Sequence, residues 1–151
     1  MTVRLDLGDI QGLFARGYRG HPYARFTTFT IPGPAAGGGL LNWLLPHVTT
    51  AAPFSGDSAV QVAFTVSGLR RLGLPDRVIA GFAAEFIEGM TNANRSRFLG
   101  DVGESDPRCW AWGGPDGPPA DGLLMLYAAD PDLLERQQAD LRRQLARADI
   151  T

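Results

Sequence analysis

The sequence predicts an α+β domain, and three observations carry that reading. Short β-branched and aromatic runs alternate with runs at helical spacing, breaks rich in glycine and proline separate them, and the last apolar run, residues 123–128, is greasy on both of its faces. A chain of 151 residues that is 44% hydrophobic and 20% charged is long enough for one domain with a real core and too short for two ordinary ones.

The elements follow in order. From Arg25 to Ile31 the run RFTTFTI is aromatic and β-branched, and Pro32-Gly33-Pro34 stops it, so it reads as a strand. After the triple glycine at 37–39, Leu40, Leu41, Leu44 and Leu45 recur at helical spacing until Pro46 ends the run. HVTTA at 47–51 is short but β-branched, PFSGDS is turn chemistry, and AVQVAFTV alternates Val60, Val62, Phe64 and Val66 against smaller or polar residues. These two stretches predict a hairpin.

Ser67 is placed to cap a helical turn, and Pro75 with Asp76 opens a longer helix whose Ile79, Phe82, Phe86 and Met90 share one packing stripe. Residues 91–122 are rich in Gly, Pro, Asn and Asp without a clear period, which makes an unusually long connection. LLMLYA at 123–128 is a buried strand, and Asp130-Pro131 begins a final amphipathic helix carrying Leu134, Leu141 and Leu145. The order strand, helix, strand, strand, helix, strand and extra helix is the ferredoxin-like split βαβ pattern of an α+β sandwich.

In the last strand Leu123, Met125 and Tyr127 point one way while Leu124, Leu126 and Ala128 point the other. Helices cover one face of an antiparallel sheet of this kind. The second face of this one therefore requires another cover.

Charge excludes some partners. The 14 basic and 16 acidic residues give a net charge of -2, and no lysine occurs, so neither a nucleic-acid nor a membrane-surface footprint is present. No window reaches the roughly 18 continuous apolar residues of a membrane span. The single Cys109 has no disulfide partner within the chain, and the start MTVRLDLGDIQG lacks the apolar stretch of a secretory signal, so a cytoplasmic location is expected.

Five stretches together carry a resemblance: GDIQGLFARGY near the start, VAFTVSGLRRLGLP at 62–75, FAAEFIEGM at 82–90, LGDVGESDPRCWAWGG at 99–114 and LLMLYAAD at 123–130. In that order, over essentially the whole chain, the sequence resembles the N-terminal half of the dye-decolorizing (DyP-type) heme peroxidases. The resemblance implies two ferredoxin-like domains with sheets facing each other, which would supply the missing cover, and a heme b held chiefly by the second domain. The family's proximal histidine, distal arginine and GxxDG aspartate belong to the portion after the matched stretch, so no catalytic residue is carried over to this chain.

Two functions follow as expectations for this single domain, 1–151. The first is a subunit or truncated half of a DyP-type peroxidase that completes the heme cavity with a separate heme-binding chain and is inactive alone. The second is a heme-free homodimeric ferredoxin-like module, a dimeric α+β barrel that binds small molecules or serves assembly. Heme is expected only together with the partner chain.

Candidate sites are few. Gly113-Gly114-Pro115-Asp116-Gly117 matches GxxDG literally, but it lies before the last strand whereas the family's motif lies beyond it, and Pro-Asp-Gly is favoured turn chemistry. His21 and His47 are the sole histidines, hence the sole imidazoles for an iron, and both also suit ordinary surface or helix-end roles. Neither has a suitably spaced second ligand or partner carboxylate, and no metal cluster is expected.

Cys109 beside Arg108 has either a reactive or a packing role. Asp9, Gln11 and Gly12 form the family-like signature GDIQG. Arg95 and Arg97, near Asp101, Glu104 and Asp106, make a polar loop that either contacts a second domain or is solvated, and Leu123, Met125 and Tyr127 are the expected interface. Trp43, Trp110 and Trp112 read as packing or interface anchors.

Overall fold

A computed structural model describes residues 5–151. Three strands, β1 (Tyr23–Phe29), β2 (Ser58–Phe64) and β3 (Gly122–Ala128), form one antiparallel sheet in the order β1-β3-β2. The last strand is thus the central one. Its pairing is unbroken on both sides, from Tyr23 opposite Ala128 to Phe29 opposite Gly122, and from Ser58 opposite Ala128 to Phe64 opposite Gly122.

Directly opposed residues share a face, which separates the sheet into two surfaces. Phe29, Val60, Leu124, Leu126 and Ala128 lie on one, and there they join Leu40 and Leu44 of α2 (Pro34–Leu44) and Leu134, Leu141 and Leu145 of the last helix (Pro131–Arg147) in the main core. Leu124 and Ala128 are fully buried. At roughly 1.5–3 kcal/mol per buried aliphatic side chain, this cluster holds the helices to the sheet. The expected α+β architecture, with helices on one face, is present.

Four further helices and two single 3₁₀ turns lie between β2 and β3, and a short helix precedes β1. The full set is α1 (Gly12–Ala15), α2, α3 (Val66–Arg71), α4 (Asp76–Ile79), α5 (Ala84–Glu88), α6 (Ala93–Leu99), the turns Gly103–Ser105 and Pro107–Cys109, and α7 (Pro131–Arg147). Helix α7 starts as expected: Asp130 accepts from Leu133 N at 2.8 Å, with Pro131 in the first turn.

Several expectations are corrected. Residues 47–51 form no strand: Gly12 N donates to Thr49 O and Ala51 N donates to Ile10 O, which ties the segment to residues 10–12 and leaves an isolated bridge between Gln11 and Thr50. Helix α2 begins earlier than the leucines indicate, at Pro34, and runs through the three glycines. The cap of α3 is Thr65, whose side chain accepts from Gly68 N, and not Ser67.

The long helix expected from Pro75 breaks after Ile79 at Ala80-Gly81, so only Ile79 of its stripe is buried and Phe82, Phe86 and Met90 stay exposed. Residues 91–122 are not wholly irregular. Asn92 caps α6 by accepting from Asn94 N and Arg95 N, and Gly100 ends it in the left-handed conformation at φ 81.

Candidate functional site

The second surface of the sheet carries Ala24, Phe26 and Thr28 from β1, Leu123, Met125 and Tyr127 from β3, and Ala59, Gln61 and Ala63 from β2. The β2 side is closed by the N-terminal segment. Gln61 is fully buried there; its Oε1 accepts from Leu13 N at 3.1 Å, and its Nε2 donates to Thr49 O at 2.8 Å. Tyr18 stacks on Tyr127 with ring centroids 4.7 Å apart, and burial pushes its phenol pKa up.

The β1 side is left open. Phe26, Thr28, Leu123, Met125 and Tyr127, rimmed by Trp112, line a cleft of about 500 Å³ without a charged side chain. Phe26 is 59% exposed and Trp112 55%. Trp112 also lines an adjoining cleft of about 1090 Å³ with Phe64, Val66, Phe86, Met90 and Trp110. The three expected interface residues of β3 are therefore brought together on one apolar surface.

Arg95 and Arg97 lie elsewhere, in a polar cleft of about 830 Å³ with Glu85, Glu88 and the exposed Phe98. Arg95 reaches Glu88 at only 3.8 Å, and its buried Nε lacks a partner among the described residues. The nearby acid Asp106 turns to Arg108 instead, which donates from Nε at 2.9 Å and Nη2 at 2.8 Å and lowers the Asp106 pKa to about 2. Cys109 is exposed beside this pair.

The signature GDIQG is a clasp. Gln11 sits against the outer edge of β2, where its Nε2 donates to Val62 O at 2.9 Å and its Oε1 accepts from Val62 N at 2.9 Å. Gly12 has to be small, since a Cβ there would meet the Tyr18 hydroxyl and stand 2.9 Å from Thr50 O. Asp9 is exposed in the preceding turn.

The opening loop of β3 hides an acid that sequence reasoning passed over. Asp116 is exposed, whereas Asp121 is 2% exposed, accepts from Ile31 N at 2.8 Å and Ser67 Oγ at 2.8 Å, and pairs with the Arg71 guanidinium at 3.1 Å. It fastens the exit of β1 and the start of α3 to the start of β3. Its one sequence signal, an Asp-Gly directly before an apolar strand, is also ordinary turn chemistry.

Each histidine engages a main-chain carbonyl through one ring nitrogen, and His21 Nδ1 is buried without a partner among the described residues. His21 Nε2 bonds Gly56 O at 2.9 Å and its ring stacks on Phe54, while His47 Nδ1 bonds Trp43 O at 2.6 Å and stacks on Trp43 at 4.6 Å. Neither lines the cleft beside β1, although His21 packs edge-on against the Tyr18 ring that stacks on Tyr127. Among the described residues no three His, Cys, Asp or Glu side chains gather as a metal site, and no helix is long and apolar enough to cross a membrane.

No family model matches the sequence, and no curated protein is similar to it. Solved structures are similar in fold. The DyP-type peroxidase of Anabaena sp. superposes with a TM-score of 0.77 at 17% identity over 93% of this chain, and the decolorizing peroxidase of Auricularia auricula-judae with 0.73 at 22% over 97%. A dye-decolorizing peroxidase with an engineered heme pocket gives 0.71 at 22% over 98%. In each case this chain spans 32% of the other's length. The fold is that of one domain of these peroxidases.

Proposed function

We propose that this chain is a scaffold half of a DyP-type heme peroxidase, which docks through the open face of its sheet onto a separate heme-carrying chain. One observation carries the reading: an uncharged cleft of Leu123, Met125 and Tyr127, flanked by the exposed Phe26 and Trp112, lies on the sheet face opposite the core. Soluble domains rarely leave such a surface on a central strand without a partner for it. The likeness in fold to about a third of each peroxidase supplies the kind of partner.

The heme, when bound, supplies the iron that reacts with peroxide. His21 and His47 each bond a main-chain carbonyl through one ring nitrogen only, but neither lines the cleft of Phe26, Leu123, Met125, Tyr127 and Trp112, and none of the residues that do carries an imidazole. The chain's share is to close one wall of the cavity and exclude water through its apolar face. Iron ligand and distal groups come from the partner.

The experiment is reconstitution. The chain alone, titrated with hemin, shows no Soret change, whereas the tagged chain recovered from its native cells brings with it a heme-carrying chain and a Soret band. A heme-free complex overturns the proposal. A stable homodimer that binds no hemin and recovers no partner establishes the heme-free reading in its place.

A further inference from the structure

Beyond Trp112 the surface changes character. The cleft beside β1 is lined without a charged side chain, whereas the adjoining cleft of about 1090 Å³ has two carboxylates in its lining, Glu85 and Glu88, and no basic residue. Its walls are aromatic and polarisable: Phe64 at the end of β2, Phe86 and Met90 in and after α5, and the indoles of Trp110 and Trp112. Trp110 is a fixed wall, because its Nε1 donates to Ser105 O at 2.9 Å. A volume of this size takes a molecule of several rings.

The charge in the cleft is not cancelled. Glu85 has no ion pair among the described residues, and Glu88 stands 3.8 Å from Arg95, beyond hydrogen-bond reach. Arg95 and Arg97 line the separate polar cleft instead. Ring faces attract a cation, and carboxylates beside an apolar wall act through less screening than they do in open water. An anion in the same place meets repulsion with no cation to offset it.

We propose that this cleft binds a flat aromatic cation, with its rings against Trp110 and Phe86 and its positive charge towards Glu85 and Glu88. The site is lined by α5, the turn after it and the 110–113 loop, and by none of Leu123, Met125 and Tyr127. It therefore stands independently of the heme-partner reading, and a failure of either leaves the other intact.

The test is titration of the full chain with methylene blue, a three-ring cation, beside anthraquinone sulfonate, a three-ring anion of similar area, followed by tryptophan fluorescence and calorimetry. Methylene blue binds with a Kd of about 10–100 μM, about tenfold or more tighter than the sulfonate, and the margin narrows as salt rises. Glu85→Gln combined with Glu88→Gln weakens methylene blue about fivefold or more without weakening the sulfonate. Phe86→Ser weakens methylene blue as well, whereas Phe26→Ser, in the uncharged cleft, leaves it unchanged. Both glutamates are exposed, so the glutamine pair keeps the fold and reports even where Phe86→Ser does not.

Equal affinity for the two dyes overturns the proposal, and so does methylene blue binding that ignores the glutamine pair or is lost with Phe26→Ser. Binding of neither dye overturns it too, since that is the outcome of a cleft already closed by a protein segment.

Discussion

The side-chain amide of Gln11 pairs with the main chain of Val62 as a neighbouring strand would, donating to its carbonyl and accepting from its amide at 2.9 Å each. One side chain thereby closes an edge that would otherwise expose hydrogen-bonding groups. Gln11→Ala removes both bonds and is expected to cost about 1–3 kcal/mol in a denaturant titration. Gln11→Glu keeps the acceptor but sets a carboxylate against a carbonyl, so it is expected to be at least as destabilising. A loss below about 0.5 kcal/mol for the alanine variant contradicts the role.

Asp121 is the second long-range fastener. Removing its carboxylate leaves the amide of the fully buried Ile31 without an acceptor, so Asp121→Ala is expected to lose about 2–4 kcal/mol. Asp116→Ala, on the exposed loop just before it, is expected to change thermal stability by less than about 0.5 kcal/mol. Comparing the two melting curves separates the structural acid from the one that matches a catalytic motif by its letters.

Stability should fall at both ends of the pH scale for identifiable reasons. Arg108 holds the Asp106 pKa at about 2, below its ordinary value, so this group's contribution is present above the ordinary carboxylate range and is lost as pH falls towards about 2. Glu135 is lowered in the same sense, first by its hydrogen bond with Arg25. Tyr18 works in the opposite direction: burial raises its pKa above 10.0, so its contribution is present below pH 10.0 and is lost as pH rises beyond it. Tyr18→Phe should flatten the alkaline limb of a melting-temperature profile and leave the acid limb unchanged.

The open face makes its own prediction. Phe26→Ser and Trp112→Ser alter residues already more than half exposed, so each is expected to cost the isolated chain under about 1 kcal/mol. Together they should reduce binding of an apolar dye and abolish recovery of a heme-carrying partner. Retained recovery would place the docking surface elsewhere.

Much of this architecture is legible in the sequence, and the limits have physical causes. Helix α7 is announced by Asp130, Pro131 and its spaced leucines, and the two apolar faces of β3 are plain from alternation. Helix α6 had a local signal, Asn92 before it and Gly100 after it, hidden in a polar run without apolar periodicity. The stripe Ile79, Phe82, Phe86 and Met90 misleads because periodicity reports apolar residues, whereas Gly81 breaks the helix that would align them. Residues 47–51 are β-branched like a strand, yet the partner that claims their main chain comes from positions 10–12. Gln11 and Asp121 act across 51 and 90 residues of chain, a relation that local spacing does not encode.

The central claim is that the uncovered sheet face receives a heme-carrying chain. Its most direct measurement is the absorption spectrum of the complex recovered from native cells with the tagged chain, beside that of the Phe26→Ser, Trp112→Ser variant. A Soret band with the wild-type chain that disappears with the variant is the predicted result. A co-purified complex without heme, or a Soret band indifferent to the variant, would contradict it.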